Sequence, residues 1–269
     1  MTTTRDRRGF TLTELIVVTV LGALVVAASM QILITNQRTY TAQNAQIQGQ
    51  QATRAALDLL SAEIREISPA GGDLITMGKT SMSVRVMRKL GIACAVSLGS
   101  SPTLRVLKIG DWFDDHDSVF VFADNDEDWG SDDAWITAHV TDVDTTKVCG
   151  ADKAVDLDFD GQGSRFAADS VRVGATVRSF LHYTYALTQI GDEYYLTRQA
   201  RGGSAIPMVG PLKAGTGLEF VYLDQNGDKT STKTEVRQIA VKIRTSSGVV
   251  NSVGTTVSDS IAAWVYTRN

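Results

Sequence analysis

A single carboxylate, Glu14, lies inside a run of 25 residues, Phe10 to Ile34, that holds no other charge. At membrane depth a carboxylate costs about 2.5–3.5 kcal/mol on insertion scales, so its presence calls for a partner or a task. At the head of the run Gly9 meets Phe10. A poorly solvated carboxylate attracts a cation strongly and is costly when left unpaired. The chemistry on offer is therefore charge pairing. The bland alternative for Glu14 is that it snorkels to the interface one turn away.

Other reactive side chains are sparse. Gly-x-Ser-x-Gly, His-Glu-x-x-His and the Walker loop are all absent from the sequence. His116, His139 and His182 have no cysteine or carboxylate at a recognised spacing, and two cysteines are too few for a four-cysteine zinc site. No catalytic residue, cofactor or metal is expected. The stretch Asp111–Asp133 carries ten carboxylates and no Lys or Arg. Asp124 to Asp128 and Asp224-Gln225-Asn226-Gly227-Asp228 look like fragments of calcium loops. Neither has the Gly and Glu placement of an EF-hand, so solvated acidic loops are the favoured reading. Asp156, Asp158 and Asp160 alternate through a hydrophobic strand and are expected on one exposed face. The net charge of −4 argues against a broad nucleic-acid surface, which needs a surplus of cations.

These residues need elements to position them. As a helix, Phe10–Ile34 would be roughly 37 Å long, enough to cross a hydrocarbon core of about 30 Å. Arg5, Arg7 and Arg8 precede it and predict a cytoplasmic N-terminus, with everything after about residue 35 on the other side. From Asn36 to Ile67 the helical period continues in Gln- and Ala-rich sequence, with Ile47, Ala52, Ala56, Leu59, Leu60, Ile64 and Ile67 as its apolar face. Ser68-Pro69-Ala70-Gly71-Gly72 ends it.

Residues beyond read as β-rich. Strands are predicted at Ser83–Met87, Leu104–Ile109, Ser118–Ala123, Trp135–Val140, Val171–Val177, Leu181–Leu187, Glu193–Arg198, Leu218–Leu223, Val236–Arg244 and Ile261–Tyr266, with a hairpin turn at Ile190-Gly191-Asp192. In this topology Cys94 and Cys149 lie where disulfides persist, and a bond between them is expected.

Arg7-Arg8-Gly9-Phe10-Thr11-Leu12-Thr13-Glu14-Leu15-Ile16-Val17-Val18 resembles the type IV pilin cleavage and methylation motif. The resemblance implies cleavage by a prepilin peptidase between Gly9 and Phe10, N-methylation of Phe10, and pairing of Glu14 with the Phe10 amine of a neighbouring subunit. Gln37-Arg38-Thr39-Tyr40 and Arg54–Arg65 resemble the stem of PilW-like minor pilins. So do Tyr183–Leu187, Tyr195–Arg198, a Pro/Gly loop at Pro207–Pro211, Leu218–Asp224 and the C-terminal strands. J-type pseudopilins of type II secretion share much of this order. Residues 73–170 resemble no family.

The expected fold is α+β and type IV pilin-like, a long N-terminal helix packed on an antiparallel β-rich domain. Residues 1–9 are the leader, 10–34 the transmembrane and assembly half of the helix, 35–68 its amphipathic half and 69–269 the globular domain. The resemblance implies a minor pilin at a pilus tip or in a priming complex, with a J-type pseudopilin as the alternative. Implied partners are the prepilin peptidase, other minor and major pilins, the inner-membrane assembly platform and, before assembly, inner-membrane lipid. The globular domain would be periplasmic first and at the cell surface later. A rival reading is a soluble secreted domain behind an ordinary signal peptide cut near Val26-Ala27-Ala28-Ser29.

Overall fold

The computed structural model describes residues 11–124, 133–168, 171–250 and 254–268. Helix α1 spans Leu12–Glu66, 55 residues. Its length follows from a sequence with no proline before Pro69. Just past its end the chain turns on side-chain bonds. The Ser68 N–H donates to Asp73 Oδ2 at 2.8 Å, and the Gly71 N–H donates to Ser68 Oγ at 3.3 Å.

Two compact units divide the chain, Met1–Gln51 with Ser246–Asp259 and Ala52–Thr245 with Ser260–Asn269. In the first, the apolar side chains of α1 from Leu12 to Ile34 stand exposed. In the second, residues 52–66 of the same helix lay Ala56, Leu60 and Ile64 into a core at 0% exposure. The buried face is narrower than the predicted stripe: Ile47 is exposed and Leu59 only partly buried, so packing begins near Thr53.

Thirteen strands are formed among the described residues: β1 (Leu74–Met77), β2 (Ser81–Ser97), β3 (Thr103–Ile109), β4 (Ser118–Ala123), β5 (Ala134–His139), β6 (Asp142–Cys149), β7 (Asp152–Asp158), β8 (Thr176–Ile190), β9 (Glu193–Ala200), β10 (Ala205–Leu212), β11 (Leu218–Leu223), β12 (Gln238–Val250) and β13 (Thr256–Tyr266). A short helix, α2, covers Gly163–Ala168. The main path runs β11-β12-β10-β9-β8-β2-β3-β7-β6; β1 joins β2, β13 joins β12, and β4 pairs with both β5 and β8. The registered pairs along this path are antiparallel, so the α+β, pilin-like layout holds.

Strand β2 serves two cores. Met82, Val84 and Val86 are buried against the helix side, together with Tyr185 and Leu196. The register with β8 then slips between Met87 and Lys89, leaving Arg88 as the extra residue. A one-residue bulge reverses which side chains face inward. Beyond it Ala93 belongs to a second cluster with Val106, Val119, Ile136, Val155 and Val177. Gly91 lies there because a Cβ would run into Val106 and Phe113.

Two expectations are corrected. Val171–Val177 is not a strand: β8 starts at Thr176, and the residues before it form a loop. Gly174, at φ +96°, turns that loop and donates its N–H to the Ala93 carbonyl at 2.7 Å, while Val171 and Ala175 fill the core from it. Pro207–Pro211 is not a loop but part of β10, paired along β9 with two register shifts. β10 meets β12 only at Leu212 and Thr245, so Pro207 has no ladder to break on that side. The β8–β9 hairpin turns where expected, with Ile190 opposite Glu193 and Gly191 at φ +64°.

Candidate functional site

Gly9 and Phe10, the expected cleavage pair, lie outside the described residues, as do Arg5, Arg7 and Arg8. Glu14 is described, in the first turn of α1. Thr11 immediately precedes that helix, and the two residues cap each other. Glu14 Oε2 accepts the Thr11 N–H at 3.0 Å and the Thr11 hydroxyl at 2.9 Å, and the Glu14 N–H donates to Thr11 Oγ1 at 3.3 Å. This is a capping box, Thr-x-x-Glu, in which two orphan N–H groups of a helix start find partners. The pattern Thr11-Leu12-Thr13-Glu14 before an apolar run was visible in the sequence, yet the functional reading of Glu14 obscured it.

The helix from Leu15 to Thr35 is built to need no water. Thr19 Oγ1 donates to the Leu15 and Ile16 carbonyls at 3.0 and 2.9 Å. Ser29 Oγ donates to the Val25 carbonyl at 2.8 Å, and Thr35 Oγ1 to the Gln31 carbonyl at 2.9 Å. Each hydroxyl is satisfied by its own helix, as a lipid-facing helix requires. α1 is long and apolar enough to cross a membrane. With Leu12, Leu24 and Val25 exposed at 77%, 61% and 65%, its surface matches lipid or neighbouring helices better than water.

Away from the helix, Cys94 and Cys149 are joined, with Cα atoms 6.2 Å apart. Cys94 falls in a bulge of β2, between Ala93 and Ala95 in the register with β3, and Cys149 ends β6. The bond thus ties β6 to β2 although β7 and β3 stand between them in the sheet.

The acidic features are largely engaged in structure. Asp114 and Asp117 accept from Lys89 Nζ at 2.6 and 2.8 Å, and the lysine is held above its usual pKa by these two carboxylates against the opposing effect of burial. Of the Asp124–Asp128 fragment, residues 125–128 lie outside the described residues. In the other fragment Asp224 Oδ1 accepts the Asn226 and Asp228 N–H groups at 2.8 and 3.0 Å, which is turn chemistry. Asp156 and Asp158 are not simply solvated. Arg105, opposite Asp156 on β3, gives it two bonds at 2.7 and 2.9 Å, and Asp158 accepts from the Thr103 hydroxyl. Among the described residues no group of three or more His, Cys, Asp or Glu side chains could hold a metal.

His182 stacks on Phe180, with ring centres 5.4 Å apart, and faces Arg85 across the β2–β8 ladder. Burial lowers its pKa, and Arg85, Arg201 and His139 add to that.

Residues 4–30 match the family described as the prokaryotic N-terminal methylation motif. No curated protein and no solved structure matches the chain. The chain therefore carries a type IV pilin-like prepilin leader, running into a long apolar helix that can anchor it in a membrane by a single pass. Such a leader implies processing by a prepilin peptidase and assembly with other pilins, and it points to a structural subunit.

Proposed function

We propose that this chain is a PilW-like minor pilin, cut after Gly9, methylated on Phe10 and built into a type IV pilus tip or priming complex through α1. The observation that carries the reading is the methylation motif at residues 4–30 placed directly on a continuous helix, Leu12–Glu66. That continuity speaks against an ordinary signal peptide, because Val26-Ala27-Ala28-Ser29 is helical where a signal peptidase needs extended chain. The family-like stem Arg54–Arg65 is the part of α1 that enters the core of the β-rich unit, and Leu218–Leu223 is strand β11 of the same core. Leader 1–9, membrane segment 10–34, stem 35–68 and globular domain 69–269 are the corresponding working parts, with the globular part periplasmic before assembly. A large β domain suits a subunit present in few copies, since a repeating subunit must pack against itself at every step.

Mass spectrometry of the mature protein tests the reading. A chain beginning at N-methylated Phe10, recovered with other minor pilins of a pilus, is the expected result. A start near Ala28 would sink the pilin reading. Recovery with the pseudopilins of a secretion system would keep the processing and move the protein to that machine.

A further inference from the structure

Arg178 of β8, Trp135 of β5 and Arg268, just past β13, line a pocket of about 390 Å³, with Met87 and Leu90 of β2 on its apolar wall. Arg178 is 7% exposed. Its guanidinium carbon lies 4.2 Å from the centre of the Trp135 ring and 5.1 Å from that of Phe120. Stacking of this kind satisfies the flat faces of a guanidinium and leaves the N–H edge unsatisfied. Arg178 Nε is indeed buried without a hydrogen-bond partner.

The charges around the pocket do not balance. Asp73, 5% exposed, is the carboxylate that Arg178, Arg268 and Arg85 all face. It already accepts the Ser68 N–H at 2.8 Å, and Arg268 Nη2 stands 3.9 Å from its Oδ2. Arg85 gives Nη1 to the Gly72 carbonyl at 3.2 Å, yet its Nε is also buried without a partner. Among the described residues, one carboxylate thus answers three guanidiniums. Burial lowers the pKa of Arg178, Asp73 opposes that and Arg268 adds to it, the pattern of a buried cation short of counter-charge. Leaving such a charge uncompensated is expensive, and an anion delivered from outside would meet a preformed fork.

We propose that this pocket binds a carboxylate carried on a short apolar stem, its two oxygens between Arg178 and Arg268 and its stem on Trp135, Met87 and Leu90. A planar two-oxygen anion matches the guanidinium edge. Ser68 and Thr176 also line the pocket, and their hydroxyls are the donors that the remaining oxygens of a tetrahedral anion would need, which makes phosphate the competing ligand. The carboxylate can be a free small acid or the acidic side chain of a polypeptide, since the same group meets the arginines in both.

NMR of the full-length, 15N-labelled protein in detergent micelles tests this through the Arg178 Nε–Hε signal and the Trp135 indole N–H signal, the latter being the readout in the Arg178 variant. The probes are glutarate, N-acetylglutamate N-methylamide, its glutamine counterpart and inorganic phosphate. The expected result is a saturable shift with one or both carboxylates and none with the glutamine compound. Preference for glutarate assigns a free acid, and preference for the capped glutamate a polypeptide. Arg268→Gln should weaken binding at least about fivefold, and Arg178→Lys, which keeps the charge but loses the fork, should abolish it. If Arg178→Lys does not fold, Arg268→Gln decides alone, because the Arg268 side chain is exposed. Equal shifts with the glutamine compound or phosphate, no shift with any probe, or undiminished binding in Arg268→Gln would each overturn the proposal.

Discussion

Arg88 Nη2 stands 3.2 Å from Glu63 Oε1 and so fastens the last turns of α1 to strand β2. Arg88 is the residue that the β2 bulge expels from the register, so the irregularity that hands β2 from one core to the other also supplies this arginine. Its guanidinium carbon lies 5.2 Å from the Tyr183 ring centre. Burial works against its charge, and Glu63 and then Tyr183 favour it, leaving its pKa raised. The other Glu63 oxygen is buried near Tyr185, whose hydroxyl is raised by burial first and by Glu63 second.

Glu63→Ala should therefore destabilise the β-rich unit by about 1.5–3 kcal/mol, the range for hydrogen bonds to charged groups. Chemical denaturation of Glu63→Ala, Arg88→Ala and the double variant measures the coupling. A coupling energy near zero would show that the helix is held by Ala56, Leu60 and Ile64 alone.

A second ion pair gives a pH prediction. Arg244 Nη2 lies 3.0 Å from Glu219 Oε2, and Lys79 lies 3.6 Å from Oε1. The Arg244 bond, with help from Lys79, lowers the Glu219 pKa below its ordinary 4.5. A depressed carboxyl stabilises the fold fully above that ordinary value, and the contribution disappears as pH falls through the folded-state pKa. Wild type should exceed Glu219→Gln by about 0.5–1 kcal/mol near neutrality, the upper part of the range for partly exposed pairs. The gap should close in acid. Melting curves at about pH 6 and about pH 3 check it, and a gap of equal size at both would reject the ion pair as its source.

The Cys94–Cys149 bond closes a sequence separation of 55 residues. Replacing both cysteines by serine should cost about 2–4 kcal/mol, by freeing the chain in every state in which β6 has come away from the sheet. The loss should concentrate in β6 and β7, at the end of the sheet path. Hydrogen exchange would show it there first, and uniform loss across all strands would contradict that placement.

How far the sequence disclosed this molecule depends on what kind of signal each part emits. α1 was legible because a continuous apolar run and an unbroken helical period are local. β4 was found at its observed ends as a short apolar run of Val and Phe that is buried at consecutive positions, and β11 because it alternates cleanly between faces. β6, with Asp142, Asp144 and Lys147 in eight residues, carries no apolar alternation, since it lies at the end of the sheet path and most of its side chains are exposed or half-buried. β10 was hidden by Pro207 and Pro211, which sheet pairing on one side tolerates. At the candidate site, Gly9, Phe10 and Glu14 announce themselves by spacing. Arg178 and Arg268 do not: ninety residues separate them in sequence, and only the fold brings them to one pocket.

Processing is testable at one residue. Gly9→Leu should block cleavage and leave the basic leader on the membrane helix, because a bulky side chain then occupies the junction. Intact mass should rise to that of the full chain. A mature product that still begins at Phe10 would show that Gly9 is not what the peptidase requires.

Glu14 carries two candidate roles, and glutamine separates them. As half of a capping box, Glu14 serves its own helix, and Gln is an accepted substitute at that position. As the partner of a neighbour's Phe10 amine it must be charged, since a buried amine without a counter-charge is costly. The roles can coexist, because the cap bonds described here fall on Oε2, and Oε1 would meet the neighbour. Thr11→Val should remove the cap and fray the first turn, costing about 1 kcal/mol of helix-start stability with little effect on assembly. Glu14→Gln should keep the first turn helical and sharply reduce incorporation into the filament or its tip complex. Glu14→Ala should lose both while still inserting in the membrane, because the apolar run is intact. Amide exchange at Leu12–Leu15 reads the cap, and co-purification of tagged variants with other pilins reads assembly. Full incorporation of Glu14→Gln would leave Glu14 a helix cap and nothing more.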